Sequence, residues 1–223
     1  MCGRFNIATP KVVDQIALTL GIQAEEVTPQ FNISPTDNVP VFYSSDSAVH
    51  LGSMRWWLVP SWSSGPSSKY AMFNARAETL KTSRAYQKPF KQQRAIIPAS
   101  SFIEWTTGQN GKQPMLIQPE EGVIAFAGLW DYWSDGTNSI YSCSIVTTQA
   151  TESFSHIHKR MPVMLAESEY QTWLDSQTLH DELLAILKPR MVSPLSSAPV
   201  SKAINTSTDK NPPEIIGDTE VIT

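Results

Sequence analysis

The spacing of apolar positions along the chain switches from helical to strand-like and back again. Between Thr9 and Gly21 the apolar residues are Val12, Val13, Ile16, Ala17 and Leu20, the one-sided repeat of a helix packed against a core. Thr9 supplies an N-cap, Pro10 the first helical position and Gly21 the stop. Short β-like runs follow at 39–43, 49–57, 94–98, 113–118, 123–130 and 139–148. Glu120, Glu121 and Gly122 lie between two of these runs and predict a hairpin turn. Residues 161–165 are strand-like, and helical spacing returns over 168–174 and 179–187, the latter ended by Pro189. From Ser193 the chain is rich in Ser, Thr and Pro, which predicts surface coil with a short strand at 214–216. Helices and strands mix without regular β-α-β alternation. The class expected is α+β, with a mainly antiparallel sheet or partly closed β-barrel surrounded by helices, in one domain over 1–223.

Composition narrows the setting. No apolar run reaches the ~18–20 residues of a membrane span, and the first residues lack the basic-then-apolar layout of a secretory signal, so a cytoplasmic location without membrane contact is expected. Cys2 and Cys143, the only cysteines, should both stay reduced and unbridged there. A net charge of −4 argues, by itself, against a nucleic-acid partner. The distribution argues otherwise: Lys69, Arg76, Lys81, Arg84, Lys88, Lys91 and Arg94 face a single acid, Glu78, in that stretch, which permits a local basic face.

The candidate chemistry begins at Met1-Cys2-Gly3-Arg4. Methionine before a small residue is trimmed by aminopeptidases, so Cys2 is expected to carry a free α-amine beside its thiol. An α-amine titrates near ~7.7–8.0 and a thiol near ~8.5, so at neutral pH part of the amine is uncharged and nucleophilic. Such a pair suits an aldehyde: the amine gives a Schiff base and the thiol closes a five-membered thiazolidine, with the advantage of an intramolecular reaction.

Four other segments place polar residues among apolar ones: Phe31-Asn32-Ile33-Ser34-Pro35, residues 73–78, Phe102-Ile103-Glu104-Trp105 and residues 156–162. Glu104, between Ile103 and Trp105, should be desolvated toward a pKa useful for proton transfer, unless it is an outward strand residue. His158 is the imidazole best surrounded for acid-base work. Asn74 can orient an amine without holding it charged, or simply cap a turn. Arg76 shares its side of an extended segment and, with Arg4 and Arg84, could clamp phosphates. Trp56, Trp57, Trp62 and Trp105 are candidate stacking planes or core residues. His156 and His158 on one strand face, joined by Cys2 or Cys143, form a competing metal constellation. No CxxC or HExxH accompanies it, so neither metal nor cofactor is expected.

Met-Cys-Gly-Arg, Phe-Asn-Ile-Ser-Pro at 31–35, Asn-Ala-Arg-Ala-Glu-Thr at 74–79, Phe-Ile-Glu-Trp at 102–105 and His-Lys-Arg-Met-Pro at 158–162 occur in that order. Together they resemble the SRAP (SOS response-associated peptidase) family over about the first 165 residues, and more weakly through Pro199–Lys202. The resemblance implies a sensor of abasic sites in single-stranded DNA that attaches itself to the lesion through Cys2, a DNA-damage-response role with lyase-like Schiff-base chemistry. It also implies that Asn74 holds the α-amine and that Glu104 and His158 move protons. Arg4, Arg76, Arg84 and Arg160 would meet the DNA backbone, with Trp62, Trp105 and Pro35 near the bases. The partner expected is single-stranded DNA, bound by a monomer. Ser63 stands where a second aromatic is expected, and residues 205–213 depart from the pattern. Two other readings stand beside it: a cysteine-nucleophile hydrolase or peptidase using Cys2, His158 and Asn74, and a non-catalytic DNA-binding module that needs neither Cys2 nor Glu104.

Overall fold

The computed structural model describes residues 2–24, 26–46, 48–108 and 111–223. In chain order the elements are β1 (Arg4–Ile7), α1 (Lys11–Leu20), β2 (Gln30–Ile33), β3 (Asn38–Ser45), β4 (Ala48–Trp56), β5 (Asn74–Arg76), α2 (Gln87–Gln92), β6 (Arg94–Ala99) and β7 (Ser101–Gly108). They continue with β8 (Gly111–Pro119), β9 (Ile124–Ser134), β10 (Ser139–Gln149), β11 (Arg160–Pro162), α3 (Tyr170–Leu174), α4 (His180–Ile186), β12 (Leu195–Pro199) and β13 (Glu220–Ile222). Helix α1 buries the predicted stripe of Val12, Val13, Ile16, Ala17 and Leu20. It ends where Gly21 turns left-handed at φ 70° and gives its N–H to Leu18 O at 3.1 Å. Its start differs by one residue: Pro10 occupies the cap, and the Thr9 hydroxyl accepts the Lys11 N–H at 3.4 Å.

The strands form two sheets. One runs in the order β13-β12-β8-β7-β1-β2; the other runs β11-β10-β4-β3-β6-β9, with β5 paired to β10. A further β9–β10 pairing closes β10, β4, β3, β6 and β9 into a barrel. Pairing is antiparallel among the described residues except where β10 meets β4 and β5. The fold is therefore α+β, a five-stranded closed barrel with an antiparallel sheet against it and few helices.

Aromatic residues bridge barrel and sheet. Phe5 of β1 meets Trp56 edge-on at 4.9 Å and Phe126 at 6.0 Å, while Phe102 of β7 meets Phe126 at 5.8 Å. All four are fully buried, and each such side chain contributes roughly 1.5–3 kcal/mol by leaving water. A second apolar cluster packs α1, α3 and α4 outside the barrel through Ile16, Trp173 and Leu183.

Three expectations need correction. Residues 120–122 are not a hairpin turn: β8 pairs with β7 and β12, and β9 pairs with β6 and β10, so this turn passes the chain from one sheet to the other. The tail read as coil supplies β12 and β13, whereas the strand expected at 214–216 is a single bridge between Val200 and Ile215. Arg94 does not belong to a basic face. It is buried, and its guanidinium donates to the carbonyls of Phe90, Lys91, Trp173 and Asp175, satisfying the ends of α2 and α3. Burial lowers its pKa to about 10. No helix among the described residues is long and apolar enough to cross a membrane.

Candidate active site

The N-terminal strand β1 lies between β2 and β7, so the residues ahead of it are carried to the seam between the sheet and the barrel. Cys2 is buried there, and its thiol donates to Arg4 O at 3.7 Å. From the other side of the seam, Asn74 opens β5, which runs parallel to β10 with Asn74 opposite Ile145. Its carboxamide Nδ2 donates to Cys2 O at 2.8 Å. Its Oδ1 is buried and has no hydrogen-bond partner among the described residues. Tyr86 fixes the backbone beneath: its hydroxyl donates to Asn74 O at 3.3 Å. Tyr86 and the 72-residue separation of Asn74 from Cys2 have no local sequence signal.

Glu104 enters on β7. The pairing Arg4↔Ile103 brings Glu104 level with the chain just before β1, beside Cys2. Its side chain is 3% exposed, and Oε1 lies 3.7 Å from His158 Nδ1. His158 Nδ1 also lies 3.0 Å from both the N–H and the carbonyl of Arg160, so the backbone of the Lys159–Arg160 corner sets the ring. Burial first, and then the Glu104 charge, push the Cys2 thiol far above its ordinary value. Cys2 is held as a thiol, with a carboxylate close enough to repel its anion.

The residues assigned to DNA by resemblance are not equally free. Arg160 is committed: Nη1 and Nη2 reach the two Glu78 oxygens at 3.1 and 3.0 Å, and Nη2 donates to Thr147 O at 2.7 Å. Although burial works the other way, the Arg160 bond and charge hold the Glu78 carboxyl below its usual range. The Arg84 guanidinium lies 4.0 Å over the Trp62 ring, and Trp62 is 52% exposed, so the two make one flat cationic surface. Arg76 is exposed at the end of β5, and Arg4 gives Nη1 to Gly3 O at 2.8 Å. Trp105 is half-buried, its indole N–H held by Asn205 Oδ1 at 2.8 Å, and Pro35 sits in the turn between β2 and β3. Trp56 is core, and Trp57 stands beside Phe73 with ring centres 5.5 Å apart. Thr147 and Lys112 carry no signal in the sequence, and Glu78 stands out there only as the single acid of a basic stretch. Lys112 joins Glu104, Trp105 and His158 around a cavity of about 310 Å³. A larger groove of about 980 Å³ between Ser44 and Glu182 contains none of these residues.

The metal constellation has lost its premise. His156 lies in the turn at 152–157 and His158 just past it, neither on a strand, with His156 exposed and His158 directed to Glu104. No cluster of three or more His, Cys, Asp or Glu suited to a metal occurs among the described residues.

Comparison with known proteins shows the family. The family model for SOS response associated peptidase (SRAP) matches residues 1–207, and the chain belongs to that family. It is 35% identical over 222 residues to the abasic site processing protein YoqW of Bacillus subtilis, covering 97% of this chain and 99% of that protein. It is 29% identical over 223 residues to the abasic site processing protein HMCES of Xenopus tropicalis, covering 85% of this chain and 66% of that one. A crystal structure of a Bacteroides thetaiotaomicron protein, 22% identical, shares the fold with a TM-score of 0.78 over 95% of this chain and all of that one.

Proposed function

We propose that this protein handles abasic sites in DNA and captures them covalently in single strands through Cys2 as a thiazolidine. The observation that carries the reading is the Asn74 carboxamide bonded to the Cys2 carbonyl, with the buried Glu104 carboxylate brought level with the same end of β1 by the β1–β7 register. Once Met1 is removed, the α-amine of Cys2 adds to the aldehyde carbon of a ring-opened deoxyribose, and the aldehyde oxygen leaves as water. The free Oδ1 of Asn74 accepts an N–H of that amine and orients its lone pair without an opposing charge. The Cys2 sulfur then bonds to the imine carbon, its proton passes by way of Glu104 to the nitrogen, and the five-membered ring closes. His158 exchanges that proton with solvent from the far side of Glu104. Arg4, Arg76 and Arg84 face the strand's phosphates, Arg160 stays paired with Glu78 and shapes the edge of the site, and Trp62, Trp105 and Pro35 lie against the bases.

The hydrolase reading has less support. A sulfur-first nucleophile needs a thiol shifted toward its anion, and here the shift is upward. In a Cys-His-Asn arrangement the amide orients the imidazole, whereas Asn74 donates to Cys2 O. One experiment separates the two: a variant with a single uncleavable residue ahead of Cys2. Thiazolidine capture of an abasic oligonucleotide should vanish in it, since the amine is then an amide. Undiminished capture would overturn the proposal.

A further inference from the structure

Lys210 lies beyond the residues the family model matches, yet the structure ties it to the edge of the site. The tie begins with Asn32, which is fully buried and left-handed at φ 47°, a conformation Asn tolerates better than most residues. Its backbone N–H is fixed by Asn6 Oδ1 at 2.8 Å, and its side chain donates to Thr206 O at 2.9 Å and Asp209 O at 2.8 Å. The tail is thereby strapped across the turn carrying Ser34, Pro35 and Thr36. From the strap, Lys210 Nζ donates to Asn32 O at 3.0 Å and Asp37 Oδ2 at 2.6 Å.

That carboxylate oxygen already accepts the Ser34 N–H at 2.9 Å and the Ser34 hydroxyl at 3.1 Å, closing the turn. Its position matters because of Arg4. Phe5 pairs with Ile33, so one step along the same register Arg4 lies level with Ser34, beside the Asp37 turn. Arg4 spends one donor on Gly3 O, and its buried Nε has no partner among the described residues. Burial lowers the Arg4 pKa, and the Asp37 charge acts on it in the opposite sense, so the two groups feel one another. An unneutralised Asp37 would both attract the Arg4 guanidinium and repel a phosphate brought to it.

We infer that Lys210 is a positioning residue for DNA: it neutralises Asp37, holds the Pro35 turn in place, and so leaves Arg4 available to a phosphate. The inference rests on the DNA reading above. The Lys210–Asp37 pair is half-exposed, with side chains 47% and 36% accessible, and exposed pairs contribute little to stability. Loss of Lys210 should therefore act on binding and leave folding intact.

The test is anisotropy of a fluorescein-labelled, undamaged single-stranded oligonucleotide at low salt, with full-length protein and thermal melts alongside. Lys210→Met should bind about five- to tenfold more weakly than wild type, with the gap closing as salt rises. Lys210→Arg should stay near wild type. The double variant Lys210→Met/Asp37→Asn should recover wild-type affinity, because nothing then remains to neutralise. A tail that merely glues the fold together would not be rescued by removing a second bond. Unchanged affinity in Lys210→Met, or no recovery in the double variant, overturns the inference alone. Failure of the wild type to bind the oligonucleotide overturns the DNA reading, and this inference with it.

Discussion

Cys2 and Cys143 are both buried, 1% and 0% exposed, and both thiols are pushed far above their ordinary value. Their surroundings differ. Cys143 sits on β10 opposite Trp130 and beside Trp56 of β4, inside the barrel, and burial alone accounts for its shift. Cys2 lies at the seam, with Glu104 adding to its shift and Asn74 bonded to its carbonyl. Burial by itself produces an inert thiol. On the proposed reading, Cys2 differs in having Glu104 to take its proton and, once Met1 is removed, an α-amine on the adjacent carbon as a second nucleophile.

Neutralising Glu104 tests the comparison most severely. Glu104→Gln keeps the shape of the side chain but cannot accept a proton, so covalent capture should slow by about 10²–10⁴, the usual worth of positioned acid-base catalysis. Anisotropy with undamaged single-stranded DNA should change by no more than about twofold. Equal losses in capture and binding would make Glu104 a structural residue.

The same comparison assigns Cys143 a purely structural role. Cys143→Ala should capture an abasic oligonucleotide at the wild-type rate while losing about 1–2 kcal/mol of stability through the vacated core volume. Its pH signature has a definite sign. A thiol raised in the folded state stabilises fully below its unfolded value, and that contribution is lost as pH rises past about 9. The melting temperature of the wild type should therefore fall more steeply between pH 8.5 and 10 than that of Cys143→Ala. Parallel curves would mean that the Cys143 thiol ionises as easily folded as unfolded.

Elements with one-sided apolar patterns were legible in the sequence, and those built on buried polar residues were not. Helix α1 carries an unbroken apolar stripe. In β1 and β2 the polar residues Asn6 and Asn32 are buried and bonded to one another, and Asn6 Nδ2 reaches Ser101 Oγ of β7 at 2.9 Å. Strand β12 buries Ser196 and Ser197 in the same way, so its sequence reads as coil. The turn at 120–122 was visible as a turn, but a local reversal carries no information about which strands pair. At the site, residue types and order pointed to the family. The partners did not, because Glu78 meets Arg160 across 82 residues and Lys210 meets Asp37 across 173.

The central claim, that amine and thiol of Cys2 both end in the bond to DNA, is tested most directly by intact mass under denaturing conditions. Wild-type protein beginning at Cys2, mixed with an abasic single-stranded oligonucleotide, should give an adduct equal to the sum of the two masses less one water, stable to heat without borohydride. Cys2→Ser keeps the amine but offers a hydroxyl too weakly nucleophilic to close a lasting ring, so its adduct should appear only after borohydride reduction. An equally heat-stable, unreduced adduct from Cys2→Ser would contradict the account, since the thiol would then form no part of the linkage.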